Sequence, residues 1–175
     1  QIRRNYQNEG FRLDVPFWKR DSSMVMVFQL NGATLYRDRY DPFVLNSQHH
    51  SLSYFNSYDC RNLLDYNKVQ HDLTFVLEED FYSRIMTEGE DEIGSSIFNK
   101  VMNREEFNTL NSNQRIDSGI YGLVQNIVNC PYSGEFKKTY INAQIKALLV
   151  LQVFHFHALF TGRHLLNERD IKRRD

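Results

Sequence analysis

The hydrophobic pattern of the chain changes period near residue 78. Before that point, apolar residues come in short runs rich in Val, Phe and Tyr, separated by turn-forming residues, which is the pattern of β-strands. Strands are predicted at Phe11 to Val15, Met24 to Leu30, Ala33 to Tyr40, Phe43 to Leu45, Leu52 to Phe55, Leu63 to Tyr66 and Asp72 to Leu77. Asp41-Pro42, Ser57 to Asn62 and Asn67-Lys68 punctuate them. Asn31-Gly32, between the second and third runs, is a hairpin signal because both residues tolerate positive φ. Strands at this spacing predict a small barrel or jelly roll.

From Glu79 onward the period is helical. A short helix is predicted over Glu79 to Met86, followed by a solvated acidic stretch at Glu88 to Glu92 and a weak stripe of Ile97, Phe98, Val101 and Met102. Ile116, Ile120, Leu123, Val124, Ile127 and Val128 share one face of a further helix. That helix ends at Asn129-Cys130-Pro131, since the residue before proline is pushed out of the α region. Ser133 can cap a long last helix that runs to about Phe160, with Gly162 as its stop and Arg163 and His164 near its last carbonyls. The fold class is therefore α+β, a β-barrel or jelly roll followed by an antiparallel helical hairpin. The parts divide as 1–86 (β), 87–162 (helical) and 163–175 (a linker).

The last helix carries a further expectation. Ala147 to Phe160 reads ALLVLQVFHFHALF, apolar on every side, and such a helix must be covered on every side. One β-domain covers one face, and the preceding helix has a single stripe to offer. Self-association into a homodimer through Leu148, Leu149, Leu151, Phe154 and Phe156 is the expectation, with packing wholly within the chain as the alternative.

Composition narrows the class. In 175 residues, 21 Lys and Arg against 22 Asp and Glu give a formal charge of −1, which is not the basic footprint of a nucleic-acid-binding surface. With 41% hydrophobic and 14% aromatic residues the chain can bury a core rather than stay disordered. Cys60 and Cys130 stand too far apart for a CxxC motif, both read as free thiols, and a reducing cytoplasm is the expected address. The apolar run from Ala147 to Val153 is too short for a membrane span, and no membrane partner is expected.

Chemistry is sparse. His49-His50 on a strand point to opposite faces, and His155 and His157 on a helix point ~200° apart, so neither pair suits one metal ion. His71 beside Asp72 reads as plain hydrogen bonding, and Cys130 as a small buried hydrophobe. None of GxSxG, HExxH, GxGxxG or GxxxxGK[ST] occurs, and the metal signature of enzymatic cupins is missing from 11–78, so no catalytic residue, metal or cofactor is expected. Phe17, Trp18, Phe28, Tyr36, Tyr54 and Phe55, with Arg12, Arg20 and Arg37 among them, could line a pocket in the barrel mouth. Arg12, Trp18, Phe28, Tyr36 and Tyr54 are the candidates for an effector pocket.

One segment has a recognisable wording. Ile127-Val128-Asn129-Cys130-Pro131-Tyr132-Ser133-Gly134, then Lys137, Tyr140 and Ala143, then Leu148-Leu149-Val150-Leu151-Gln152, resembles the AraC family of bacterial transcription regulators, in particular the subgroup near the pyochelin regulator. Weaker likeness extends to Phe28 to Gly32, Leu73 to Phe81 and Leu166 to Ile171. Gln144 and Ala147 depart from it, standing where that subgroup commonly has Lys and Glu. The resemblance implies a cupin-like sensor domain, a dimerising helical hairpin, and then a DNA-binding half with two helix-turn-helix motifs, which this chain lacks. What it implies for the chain is a sensor in which a small-molecule effector in the barrel biases dimer geometry, with DNA met only through the absent half. A cupin-type isomerase or oxygenase, or a pure dimerisation scaffold, are the alternatives.

Overall fold

The computed structural model describes residues 14–19, 22–37, 43–64, 69–87, 92–109, 112 and 114–160. Its elements run β1 (Asp14–Lys19), β2 (Ser23–Asn31), β3 (Thr34–Arg37), β4 (Phe43–Leu45), β5 (His49–Phe55), β6 (Tyr58–Leu64), β7 (His71–Glu78), α1 (Glu79–Thr87), α2 (Glu92–Met102), β8 (Phe107–Asn108), α3 (Ser118–Val128) and α4 (Gly134–Phe160). The predicted mixture of strands then helices is present. Among the described residues the strands form two antiparallel four-stranded sheets, in the orders β1-β6-β3-β4 and β7-β2-β5-β8, and no closed barrel.

Asn31-Gly32 makes a turn, with Gly32 at φ 76°, but not a hairpin. Both edges of β2 are taken, by β5 (Met24 opposite Tyr54) and by β7 (Met26 opposite Phe75), so β3 leaves for the other sheet and pairs with β4 and β6. A buried carboxamide fixes this crossing: Gln29 Nε2 donates to the Asn31 carbonyl at 2.6 Å, and Thr34 Oγ1 donates to Gln29 Oε1 at 2.9 Å. The first strand lies three residues later than its pattern suggested, and Pro16 within it is tolerated because β1 is an edge strand. Ser57 to Asn62, read as punctuation, mostly belongs to β6.

Strand alternation sorts the β7-β2-β5-β8 sheet into two unlike faces. Met24, Met26, Phe28 and Leu30 of β2, with Leu52, Tyr54, Leu73, Phe75 and Leu77, join one core with Ile97, Ile120, Val124, Leu148, Leu149 and Phe156 of the helices. Val25, Val27 and Phe55 face the other way and meet Tyr36, Phe43 and Leu45 of the opposite sheet. β8, from the part read as helical, completes the sheet by pairing with β5.

The helices follow the apolar period. Asp117 caps α3, its Oδ1 accepting from the Ile120 N–H at 2.8 Å, which satisfies a donor the helix start leaves free. Gly134 opens α4 at φ 57°, a left-handed conformation that suits glycine, and the Ser133 carbonyl accepts from Lys137 N–H. α4 buries Leu148, Leu149, Gln152 and Phe156, with Ile141 and Ile145 partly covered beside them. Residues 88–91 and the expected stop at Gly162, Arg163 and His164 lie outside the described residues, as does the 163–175 linker.

Candidate functional site

The face between the two sheets is where the sequence places buried polarity. Ser23, Gln29, Ser51 and Ser53 on β2 and β5, Thr34 on β3, and Gln70 just before β7 are all buried, and those of β2 and β5 lie on strand positions that alternate with the large apolar side chains packed under the helices. Small hydroxyl residues thus stand where an ordinary sandwich carries Val, Leu or Ile. Gln29 is held by Thr34, Gln70 and the Asn31 carbonyl. Among the described residues the fully buried hydroxyl of Ser51 has no hydrogen-bond partner, a loss of about 1–3 kcal/mol that a bound polar group would recover.

The sequence candidates for a pocket separate. Tyr36 lies on this inner face, buried and stacked on Phe43 with ring centroids 5.0 Å apart. Phe28 and Tyr54 lie on the other face, inside the core beneath the helices, because their positions alternate with Val27, Ser53 and Phe55. Trp18 sits on β1, opposite Asp59 of β6. Arg12 falls outside the described residues. A cavity of about 160 Å³ opens elsewhere, where α1 meets α2, lined by Glu79, Tyr82, Ser83, Phe98, Val101, Met102 and Arg104. Burial there, reinforced by Tyr54 and Glu79, pushes the Tyr82 phenol up, so it stays a neutral hydroxyl.

The second candidate surface is the outward side of α4. Leu148, Leu149 and Phe156 are covered completely by their own subunit, so of the expected interface only Phe154, 60% exposed, and half-buried Leu151 are left for a second copy. The remaining outward positions form a seam that the sequence reading missed: Phe136, Tyr140, Ala143, Ala147, Val150 and Phe154, spaced four, three, four, three and four residues apart. That spacing keeps one stripe in line along a helix, as in coiled coils. Phe136 is 81% and Val150 53% exposed, Ala143 is exposed, and Tyr140 and Ala147 are half-buried.

Beneath the same helix lies a polar cluster. The segment before α3 pairs with the start of β5: His50 N–H donates to the Gln114 carbonyl (3.0 Å) and Ile116 N–H to the Gln48 carbonyl (2.8 Å). This pairing brings Asp117 towards the His50 ring, and α4 supplies Gln152 and His155 from above. His155 Nε2 is 3.2 Å from Asp117 Oδ2. Burial, followed by the neighbouring His155, lowers His50 to about 4, so this ring is neutral at pH 7. The cluster can pass a proton, but alternation puts the Ser51 hydroxyl on the sheet face opposite the His50 ring, so that hydroxyl cannot serve it as a nucleophile. Among the described residues, no group of three or more His, Cys, Asp or Glu is placed to hold a metal ion. His71 is exposed, Thr74 Oγ1 donates to Asp72 Oδ2 at 3.4 Å, and Cys130 is a half-buried free thiol. No helix among the described residues is long and apolar enough to cross a membrane.

Comparison with known proteins gives little. No family model and no curated protein matches the sequence. Among solved structures, the chain resembles an apo crystal structure of a ToxT variant from Vibrio cholerae, with 7% sequence identity and a TM-score of 0.49, over 85% of this chain. The chain spans 59% of that protein's length, and the likeness is too distant to assign a family.

Proposed function

We propose that this chain is the ligand-sensing and dimerising domain of an AraC-type transcription regulator, and not an enzyme. A small polar effector enters between the two sheets, read as a cupin-like jelly roll, and a second copy docks on α4. DNA is contacted through a separate helix-turn-helix domain, reached through 163–175, and a cytoplasmic location goes with that role. The finer likeness, to the subgroup near the pyochelin regulator, rests on the wording of 127–152.

The observation that carries the reading is the outward seam of α4, because it is complementary to itself. Its residues are symmetric about position 145: Phe136 mirrors Phe154, Tyr140 mirrors Val150, and Ala143 mirrors Ala147. Two antiparallel copies related by a twofold axis bring each large side chain against a partner at the ends and small alanines together at the centre, where the helices approach closely. Ser51 supports the sensing half, since its buried hydroxyl on the inner face of the β7-β2-β5-β8 sheet, without a partner among the described residues, offers a hydrogen bond to a bound polar group.

Sedimentation equilibrium tests dimerisation: the chain is a dimer, and Ala143→Glu, a change at an exposed helical position, is a folded monomer. A monomeric parent chain, or a dimeric variant, defeats the reading. A thermal-shift screen of small hydrogen-bonding metabolites tests sensing. A ligand at 100 times its Kd adds ~2.7 kcal/mol, and Ser51→Ala removes that gain without destabilising the free protein.

A further inference from the structure

Four side chains from three parts of the fold meet beneath α4, and their hydrogen bonds allow one arrangement of protons. Gln152 Nε2 donates to His50 Nδ1 and to the Ser51 carbonyl, each at 3.0 Å. The carbonyl fixes the orientation of that amide, because a flipped one would set oxygen against oxygen. His50 Nδ1 therefore presents a lone pair, and the ring proton sits on Nε2. His50 Nε2 faces His155 Nδ1 at 3.4 Å, and His155 Nε2 faces Asp117 Oδ2 at 3.2 Å. One proton on each Nε2 makes every contact a hydrogen bond.

An added proton has no favourable place. On His50 Nδ1 it points at the Gln152 amide hydrogens, and on His155 Nδ1 it points at the His50 Nε2 proton. The groups around His50 mostly act in the same direction. β5 contributes His49, which opposes a charge on the ring, and α4 contributes His155, which does likewise, while His157 lies ~200° around the helix. The segment before α3 contributes Asp117 and the Arg115 backbone carbonyl, which favour the charge but do not outweigh burial. Apolar Phe28 of β2 and Phe156 of α4 close the site, with ring centroids 6.0 and 5.2 Å from that of His50.

We propose that the chain Gln152–His50–His155–Asp117 is a proton-sensitive latch, which when neutral ties the C-terminal half of α4 and the α3 cap to β5, and which one added proton opens. Val150 and Phe154 lie on the same turns as Gln152 and His155, so opening displaces one end of the outward seam. Acid thereby acts on the surface offered to a second copy. The latch works whether or not a ligand lies between the sheets, so its failure leaves the sensor reading standing.

Amide hydrogen exchange on the whole chain, corrected for intrinsic rates and followed from pH 7.5 to pH 5, tests it. Below about pH 6.5 the opening constant of α4 amides in 149–156 rises by about tenfold per pH unit, while amides of β2 stay protected. In His50→Gln, which keeps a neutral side chain, that slope disappears. A pH-independent α4, a slope that persists in His50→Gln, or α4 and β2 opening together would overturn the latch. If that variant does not fold, His155→Gln, which breaks the chain between His50 and Asp117, carries the same test: a reduced slope supports the latch and an unchanged slope overturns it.

Discussion

Thr109 and Leu52 exchange three hydrogen bonds. The Thr109 hydroxyl donates to the Leu52 carbonyl and accepts from the Leu52 N–H, both at 2.8 Å, while Thr109 N–H donates to the same carbonyl at 3.1 Å. The side chain thus continues the ladder where β8 ends, and joins the helical part of the chain to the middle of β5. Thr109→Val keeps the shape and removes the hydroxyl, leaving the buried Leu52 N–H unsatisfied. Urea unfolding is expected to show a loss of about 1–3 kcal/mol with an unchanged slope.

Gly32 and Gln70 are mutually constrained. A Cβ at Gly32 would run into Gln70 Oε1, and φ of 76° disfavours any side chain there. Gly32→Ala should cost more than about 1 kcal/mol. In a Gln70→Ala background the clash is gone and only the backbone cost remains, so a double-mutant cycle by urea unfolding gives a favourable coupling. Additive effects would mean that the Gln70 side chain moves aside freely.

Asp117 has two jobs, one per oxygen: Oδ1 caps α3 and Oδ2 meets His155. Asp117→Ala loses both and should destabilise by about 1 kcal/mol or more. Asp117→Asn retains the cap and should recover most of that loss. Thermal melts of the two variants under one buffer separate the roles.

The acid limb of stability follows from His50. Its folded-state value, about 4, lies below the ordinary 6.5, so the unfolded chain binds the extra proton first. Stability is therefore full above about pH 6.5 and falls as pH drops through that value towards 4, with a limiting slope of about 1.4 kcal/mol per unit. Urea midpoints measured at pH 7.5 and pH 5 check the sign, and His50→Gln should flatten the difference.

What the sequence revealed, and what it hid, follows from the range of the interactions. α1, α3 and α4 were legible because their apolar residues recur at helical spacing, and β4 and β7 because their runs are bounded by turn residues. The Asn31-Gly32 turn was legible but its outcome was not: local chemistry sets the turn, whereas the partners of β2 are chosen by β5 and β7 far along the chain. The pocket candidates Phe28 and Tyr54 went to the helix side because a one-residue difference in register exchanges the faces of a strand. The seam of α4 was masked by apolar residues all around that helix, and only the burial of Leu148, Leu149 and Phe156 reveals which stripe remains outside. The histidine cluster joins positions 105 residues apart, beyond any local pattern.

The pairing of two copies along α4 is tested most directly by a distance between them. A spin label at Glu135→Cys, with Cys60 and Cys130 replaced by serine, sits ten residues from the centre of the seam. Two antiparallel copies place their labels about 30 Å apart along the helix axis, at 1.5 Å per residue. Pulsed dipolar spectroscopy is expected to return a single population at about 30 Å or more. A distance under about 20 Å, which is what parallel helices at their usual packing separation produce, or no coupling at any concentration, would contradict the account.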